Sequence, residues 1–374
     1  MPRFGWLNVR LWSSVLAVMA IAACGSAAPT ASVTPSSAPS AYDPRLVIAD
    51  LVDPNVVNFT SAEVRLVKLD GTVTASVKGL YVGMVGSSAI VLQGNSLEAL
   101  GRDGSVQQLG QLAVTTEWLG EGTVVVNPQL SQWLYSVRDN TSTATVHLGT
   151  QTSDRVIATL PSPNGNAFYR PFAWNASGVY MVRQPVGIGG AGPFLEYHFP
   201  LAKFDMATGR VVDVTPECLA YAVLDDGSMI CSQATPQGRI DVRSASGQDN
   251  VIQLSGGVVG QSYDTGAYIK VVVSPETKRL LAGRDGSKDP VINYQMAVAD
   301  FSSSTASAFG PLDYLPDAWL ADGRVVADHR CATGFGDTDA CDANLAGTYV
   351  FSADGSTHSL LFKGAPYAAV LGSI

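Results

Sequence analysis

Five cysteines and one run of side-chain oxygens carry most of the chemistry open to this chain. Cys218 lies close to Cys231, and Cys331 close to Cys341. An even number of thiols in a chain that leaves the cytoplasm reads as disulfides, and four thiols allow three pairings. Cys218 and Cys231 flank an Asp225-Asp226-Gly227 turn, so they are expected to face each other across a hairpin. Cys331 and Cys341 would close a single loop. Zinc sites use short Cys-x-x-Cys spacings, and these gaps are far wider. Asp337, Asp339, Asp342 and Asn344 place oxygens at nearly alternating positions, as a hard cation such as calcium requires. The run lacks the glycine and terminal glutamate of an EF-hand loop, and a solvated acidic loop is the plainer reading. No other cofactor is expected.

Other chemistry is missing from the sequence. There is no Gly-x-Ser-x-Gly elbow, no Gly-x-x-x-x-Gly-Lys-Ser/Thr loop and no His-Glu-x-x-His. Gly187-Ile188-Gly189-Gly190 lacks the flanking strand and helix of a dinucleotide site. His147, His198, His329 and His358 read as isolated residues with surface roles. A net charge of −9 with no basic run excludes nucleic acid as a natural partner.

The elements that must position these residues are strands. Gly 37 and Pro 20, with abundant Val, Thr and Ser, favour strands and turns, and 46% hydrophobic residues suffice for a large core. Trp319-Leu320-Ala321-Asp322-Gly323-Arg324-Val325-Val326 reads as a hairpin with an Asp-Gly turn. Trp118–Val126, Trp174–Val182, Val223–Cys231 and Val273–Leu281 rewrite it. A second hairpin type alternates with the first, its turns near residues 70, 103, 152, 208, 247, 303 and 354. Two hairpins per repeat make four strands, and the spacing scatters around the roughly 40–50 residues of a propeller blade.

The fold class expected is therefore all-β, a seven-bladed β-propeller of four-stranded blades; a long β-sandwich would not produce this alternation. Trp118, Trp174 and Trp319 recur at equivalent positions, as core packing between blades demands. The C-terminal Lys363–Gly372 resembles Lys78–Gly86, the opening of the second blade. The last residues should thus supply the inner strand of the first blade beside the strand near Leu46–Leu51, closing the ring and removing free sheet edges. Val273-Ser274-Pro275-Glu276-Thr277-Lys278-Arg279-Leu280 resembles the Ser-Pro-Asp-Gly-Lys-x-Leu repeats of TolB-type and WD40-like bacterial propellers, with Glu-Thr standing in for Asp-Gly. That resemblance implies fold alone, because functions among such propellers are diverse.

The N-terminus carries a different signal. Arg3 and Arg10 precede an apolar run, Leu11–Ala23, too short to span a bilayer as a helix. The run ends in Ile21-Ala22-Ala23-Cys24-Gly25, which resembles the lipobox of bacterial lipoproteins. The resemblance implies a signal peptide over 1–23, a lipid on Cys24, and an extracytoplasmic chain anchored to a bacterial membrane or the cell surface. Residues 24–42, dominated by Ser, Ala, Pro and Thr, read as a flexible tether, leaving 43–374 for the propeller.

Three long connections between second and third strands offer binding surface: Gln184–Pro200, Asp285–Tyr294 and His329–Gly347. Phe194, Glu196, Tyr197, His198, Tyr294, His329 and Phe335 are their candidate contact residues. Two functions follow as expectations. One is a non-enzymatic scaffold that binds an envelope protein or ligand on the long-loop face. The other is an extracytoplasmic lyase or hydrolase with its pocket at the central channel.

Overall fold

The computed structural model describes residues 42–50, 62–114, 124–138, 143–185, 198–232, 238–254, 270–285, 294–329, 343–363 and 368–374. Within them, seven four-stranded antiparallel sheets stand as the blades of a propeller. Blade 2 is β4 (Leu80–Val85), β5 (Ser88–Gln93), β6 (Ser96–Gly101) and β7 (Val106–Gln111). Blade 3 is β8 (Val124–Val126), β9 (Gln132–Arg138), β10 (Ala144–Thr150) and β11 (Ser153–Leu160). Blade 4 is β12 (Ala167–Asn175), β13 (Gly178–Pro185), β14 (Leu201–Asp205) and β15 (Arg210–Asp213). Blade 5 is β16 (Leu219–Val223), β17 (Met229–Ser232), β18 (Arg239–Arg243) and β19 (Asp249–Gln253). Blade 6 is β20 (Val271–Ser274), β21 (Arg279–Asp285), β22 (Tyr294–Asp300) and β23 (Ser307–Leu312). Blade 7 is β24 (Tyr314–Trp319), β25 (Val325–His329), β26 (Gly347–Phe351) and β27 (His358–Lys363).

Blade 1 contains the closure. Its strands β1 (Leu46–Asp50), β2 (Glu63–Val67) and β3 (Val73–Lys78) are completed by β28 (Ala368–Ser373), in the order β28-β1-β2-β3. β28 runs antiparallel to β1, from Leu46 opposite Ser373 to Asp50 opposite Ala368. Arg45 and Ile374 extend the pairing by exchanging backbone hydrogen bonds of 2.9 and 2.8 Å. The inner position of β28 agrees with the sequence reading.

Burial falls off toward the rim of a blade, while the inner strands vary: β4 and β12 are largely half-buried and β24 is wholly buried. All six residues of β24 are buried, whereas β27 is exposed or half-buried throughout. Val73, Val106, Val156 and Val212 stand exposed on the outer strands β3, β7, β11 and β15. The core is a series of clusters between neighbouring blades. Trp319 of β24 packs with Leu281 and Met296 of blade 6, and its indole Nε1–H donates to the Val272 carbonyl at 3.2 Å. Trp174 is half-buried against a cluster shared by blades 3 and 4.

The turns explain why the repeats were readable. Asp70, Asp103, Asp205, Asp226, Asp322 and Asp354 each accept a hydrogen bond from the backbone N–H two residues on. The side chain thereby does the work of a turn carbonyl. Five of these Asp residues are followed directly by glycine, the turn at Asp205 ends in Gly209, and all six glycines have positive φ.

One expected hairpin is wrong. Val124–Val126 is the inner strand of blade 3, not the second strand of a Trp118–Val126 hairpin. Trp118 and the Gly120–Gly122 stretch lie outside the described residues. The turn falls at residues 127–131, where Asn127 Oδ1 accepts from the backbone N–H groups of Ser131 and Gln132 at 2.9 and 3.0 Å. Asn127 closes that turn without an Asp-Gly pair, so the sequence pattern passed over it.

Candidate functional site

Antiparallel order puts the connections from second to third strand, and from each outer strand to the next inner one, on a single face. The long ones all emerge there: 51–62, 112–123, 186–200, 254–270, 286–293 and 330–346. The opposite face carries short turns such as 224–228 and 244–248. The sequence reading found the connections within blades 4, 6 and 7. It passed over 51–62, although it placed strands on both sides, and 112–123 and 254–270, whose strand ends it does not locate.

Beneath this face, charged side chains gather at the inner strands of blades 6 and 7. Lys270, just ahead of β20, forms an ion pair with Asp317 on β24, whose side chain is 1% exposed. Taking two charges out of water costs several kcal/mol per ion before their attraction offsets it. The pair ties the inner strands of adjacent blades beside the central channel, where Gly283 N–H also donates to the Lys270 carbonyl at 2.8 Å. On β25, buried Asp328 accepts from the Thr348 hydroxyl at 2.6 Å.

An aromatic group continues the site in blade 7. The Tyr314 ring meets His329 edge-on at 4.8 Å and Tyr349 at 5.2 Å. Burial, and next the proximity of Tyr349, push the Tyr314 hydroxyl up to about 12, so it stays protonated as a donor at neutral pH. Asp313, at the single-residue link between β23 and β24, has φ +71°. Burial raises its carboxyl above the ordinary range, partly offset by His329.

His198 and His329 depart from the expectation of surface residues, whereas His358 is exposed, and none of the four is isolated. His198 and His329 are buried. His198 contacts Tyr221 edge-on at 4.1 Å, with its Nδ1 3.0 Å from the Ala220 carbonyl oxygen. His358 stacks on Phe351 at 4.8 Å, and His147 is paired with Asp154 at 2.9 Å. Each is held by aromatic or charged partners on neighbouring strands, which a linear scan does not see.

Among the other candidate residues, Tyr294 opens β22 opposite Asp285. Asn344 is exposed in a short 3-10 turn, Ala343–Leu345. Cys24, Phe194, Glu196, Tyr197, Cys331, Phe335, Asp337, Asp339, Cys341 and Asp342 lie outside the described residues. No group of three or more His, Cys, Asp or Glu is arranged to hold a metal among the described residues.

Cys218 and Cys231 are joined as a disulfide with Cα atoms 5.1 Å apart, as their positions around the hairpin suggested. Both are fully buried in the apolar seam between blades 4 and 5, beside Tyr180, Phe199 and Leu201.

The arrangement is a set of paired charges and packed rings buried at the inner strands of blade 7 and its seam with blade 6. Lys270, Asp317 and Asp328 were missed by the sequence reading as site residues. The one available signal was the charge at 317 inside an otherwise apolar inner strand.

No family model matches the chain, and no curated protein matches it. Solved structures resemble it at low identity. AztD from Citrobacter koseri is 14% identical, covering 89% of this chain and 98% of that one, with a TM-score of 0.48. The β-propeller domain of the Trilobed protease from Pyrococcus furiosus is 10% identical, covering 81% and 90%, with a TM-score of 0.47. TolB from Acinetobacter baumannii is 9% identical, with a TM-score of 0.41; the match spans 69% of this chain and 61% of that TolB. At these values neither membership nor activity passes to this chain. Its fold rests on its own strand pairing.

Proposed function

We propose that this chain is an extracytoplasmic, lipid-anchored propeller that binds an envelope protein or ligand through its long-connection face. The observation that carries the reading is the segregation of connections: the strand ends joined by 186–200 and 330–346 lie on the same face, while the other face is closed by short turns. Long connections on a rigid scaffold are where binding concentrates. Ile21-Ala22-Ala23-Cys24 supports the anchor, and the Cys218–Cys231 disulfide suits an oxidising compartment.

The test has two arms. Metabolic labelling with a lipid probe should mark the wild-type chain and not Cys24→Ser. Photo-crosslinkers placed in 186–197 should capture a discrete partner in cells, and crosslinkers at Ser246 on the opposite face should not. Equal capture from both faces would refute the binding face, and an unlabelled wild-type chain would refute the anchor.

The charges beside the channel support a second reading, an extracytoplasmic enzyme with a channel pocket. Asp317→Asn and Asp328→Asn should then abolish turnover of a substrate without loss of fold. Binding by the long connections that survives both substitutions favours the scaffold.

A further inference from the structure

We propose that a cleft between blades 2 and 3 binds a neutral, polyhydroxylated ligand of the saccharide type. The cleft is an open groove of about 530 Å³. One wall is the end of β7 with the following Leu112 and Ala113; the other is the β10–β11 turn.

The lining chooses the ligand class. Gln108, Gln111, Gln151, Thr152 and Ser153 line the space, with Gln108 Nε2 donating to Ser96 Oγ at 3.4 Å and Ser153 Oγ 2.8 Å from Thr150 Oγ1. Each such amide or hydroxyl can both donate and accept, which matches the hydroxyls of a sugar. Among the described residues no Lys, Arg or His is part of the lining, so they offer a phosphate or carboxylate ligand no countercharge. The one charged group, Asp154, is already engaged. Its Oδ2 accepts from the Tyr135 hydroxyl at 2.6 Å and from the Ala113 N–H at 3.3 Å, and its Oδ1 lies 2.9 Å from His147 Nδ1. A cationic ligand would have to displace these partners.

The same contacts fix the walls. Tyr135 and His147 stack at 4.7 Å across β9 and β10, and the Tyr135 hydroxyl also accepts from Ala113 N–H at 3.0 Å. Asp154 and Tyr135 of blade 3 thus hold the link that leaves blade 2. A preformed opening loses little entropy on binding.

The probes are maltose, cellobiose and chitobiose, titrated into the purified chain and followed by saturation-transfer NMR and calorimetry. At least one should bind saturably in the millimolar range. The double variant Gln111→Ala/Gln151→Ala changes two exposed side chains, so its melting temperature should match the parent's while affinity falls about tenfold or more. Glucose 6-phosphate should bind more weakly than the best neutral sugar. Absence of saturable binding by all three disaccharides, an unchanged affinity in the double variant, or preference for the sugar phosphate would each overturn the proposal.

Discussion

The indole of Trp133 lies flat against Gly149, its cross-strand partner on β10, so closely that a Cβ at that position would collide with Nε1. The far edge of the same ring meets Gly110 on β7 of the neighbouring blade with equal closeness. Trp133 is fully buried, and two glycines from two blades make the slot that holds it. Gly149→Ala or Gly110→Ala should therefore cost at least about 1–3 kcal/mol through overpacking. Urea unfolding would check this, and a loss below about 0.5 kcal/mol would show that the ring can move aside.

Lys278 sits in the exposed turn between β20 and β21 with φ +53°, a conformation that suits glycine. Its backbone matters, since its carbonyl accepts from Phe301 N–H at 2.8 Å. The left-handed region costs an L residue about 1–2 kcal/mol, and glycine's greater unfolded entropy offsets about half of that. Lys278→Gly should raise stability by about 0.5–1 kcal/mol in the same assay.

The closing strand should be indispensable. Deleting residues 368–374 removes β28, uncovers the inner edge of β1 and exposes Val47 and Ile48. The loss should exceed about 4 kcal/mol, the scale of a broken core. Thermal melting and hydrogen exchange on β1 would show it; parent-like protection of β1 would mean the closure adds little.

Acid should unfold the protein through its turns. Asp70, Asp103, Asp205, Asp226 and Asp354 are all held below the ordinary 3.8 by hydrogen bonds, Asp354 to about 2. A carboxylate depressed on folding stabilises the fold above its unfolded pKa, and that stability fades as pH falls through the folded value. Stability should be level near neutrality and decline between about pH 4 and pH 2. Asp354→Asn should flatten part of that decline in unfolding curves measured at each pH.

The fold was legible because its turns are local. Asp70-Gly71, Asp103-Gly104 and Asp354-Gly355 advertise themselves in consecutive residues, and the match of Lys363–Gly372 to Lys78–Gly86 revealed the closure. The site was less legible because its contacts are not local. Lys270 and Asp317 pair across 47 residues and two blades, and neither belongs to a motif. His198 and His329 looked like loop residues because each stands at a strand end, yet the rings that bury them come from adjoining strands. Asn127 hid a turn by doing with one amide what Asp and Gly do elsewhere.

The pairing of β1 with β28 also sets a schedule. Chains emerge from the ribosome, or from a translocation pore, in order, and β1 is among the first strands delivered while β28 is the last. Until then β1 has β2 on one side and nothing on the other, and β24 of blade 7 lacks its neighbour in blade 1. The ring is therefore completed by one late event that joins the two ends of the domain. A cell must keep the waiting edges apart from other strands for as long as delivery takes.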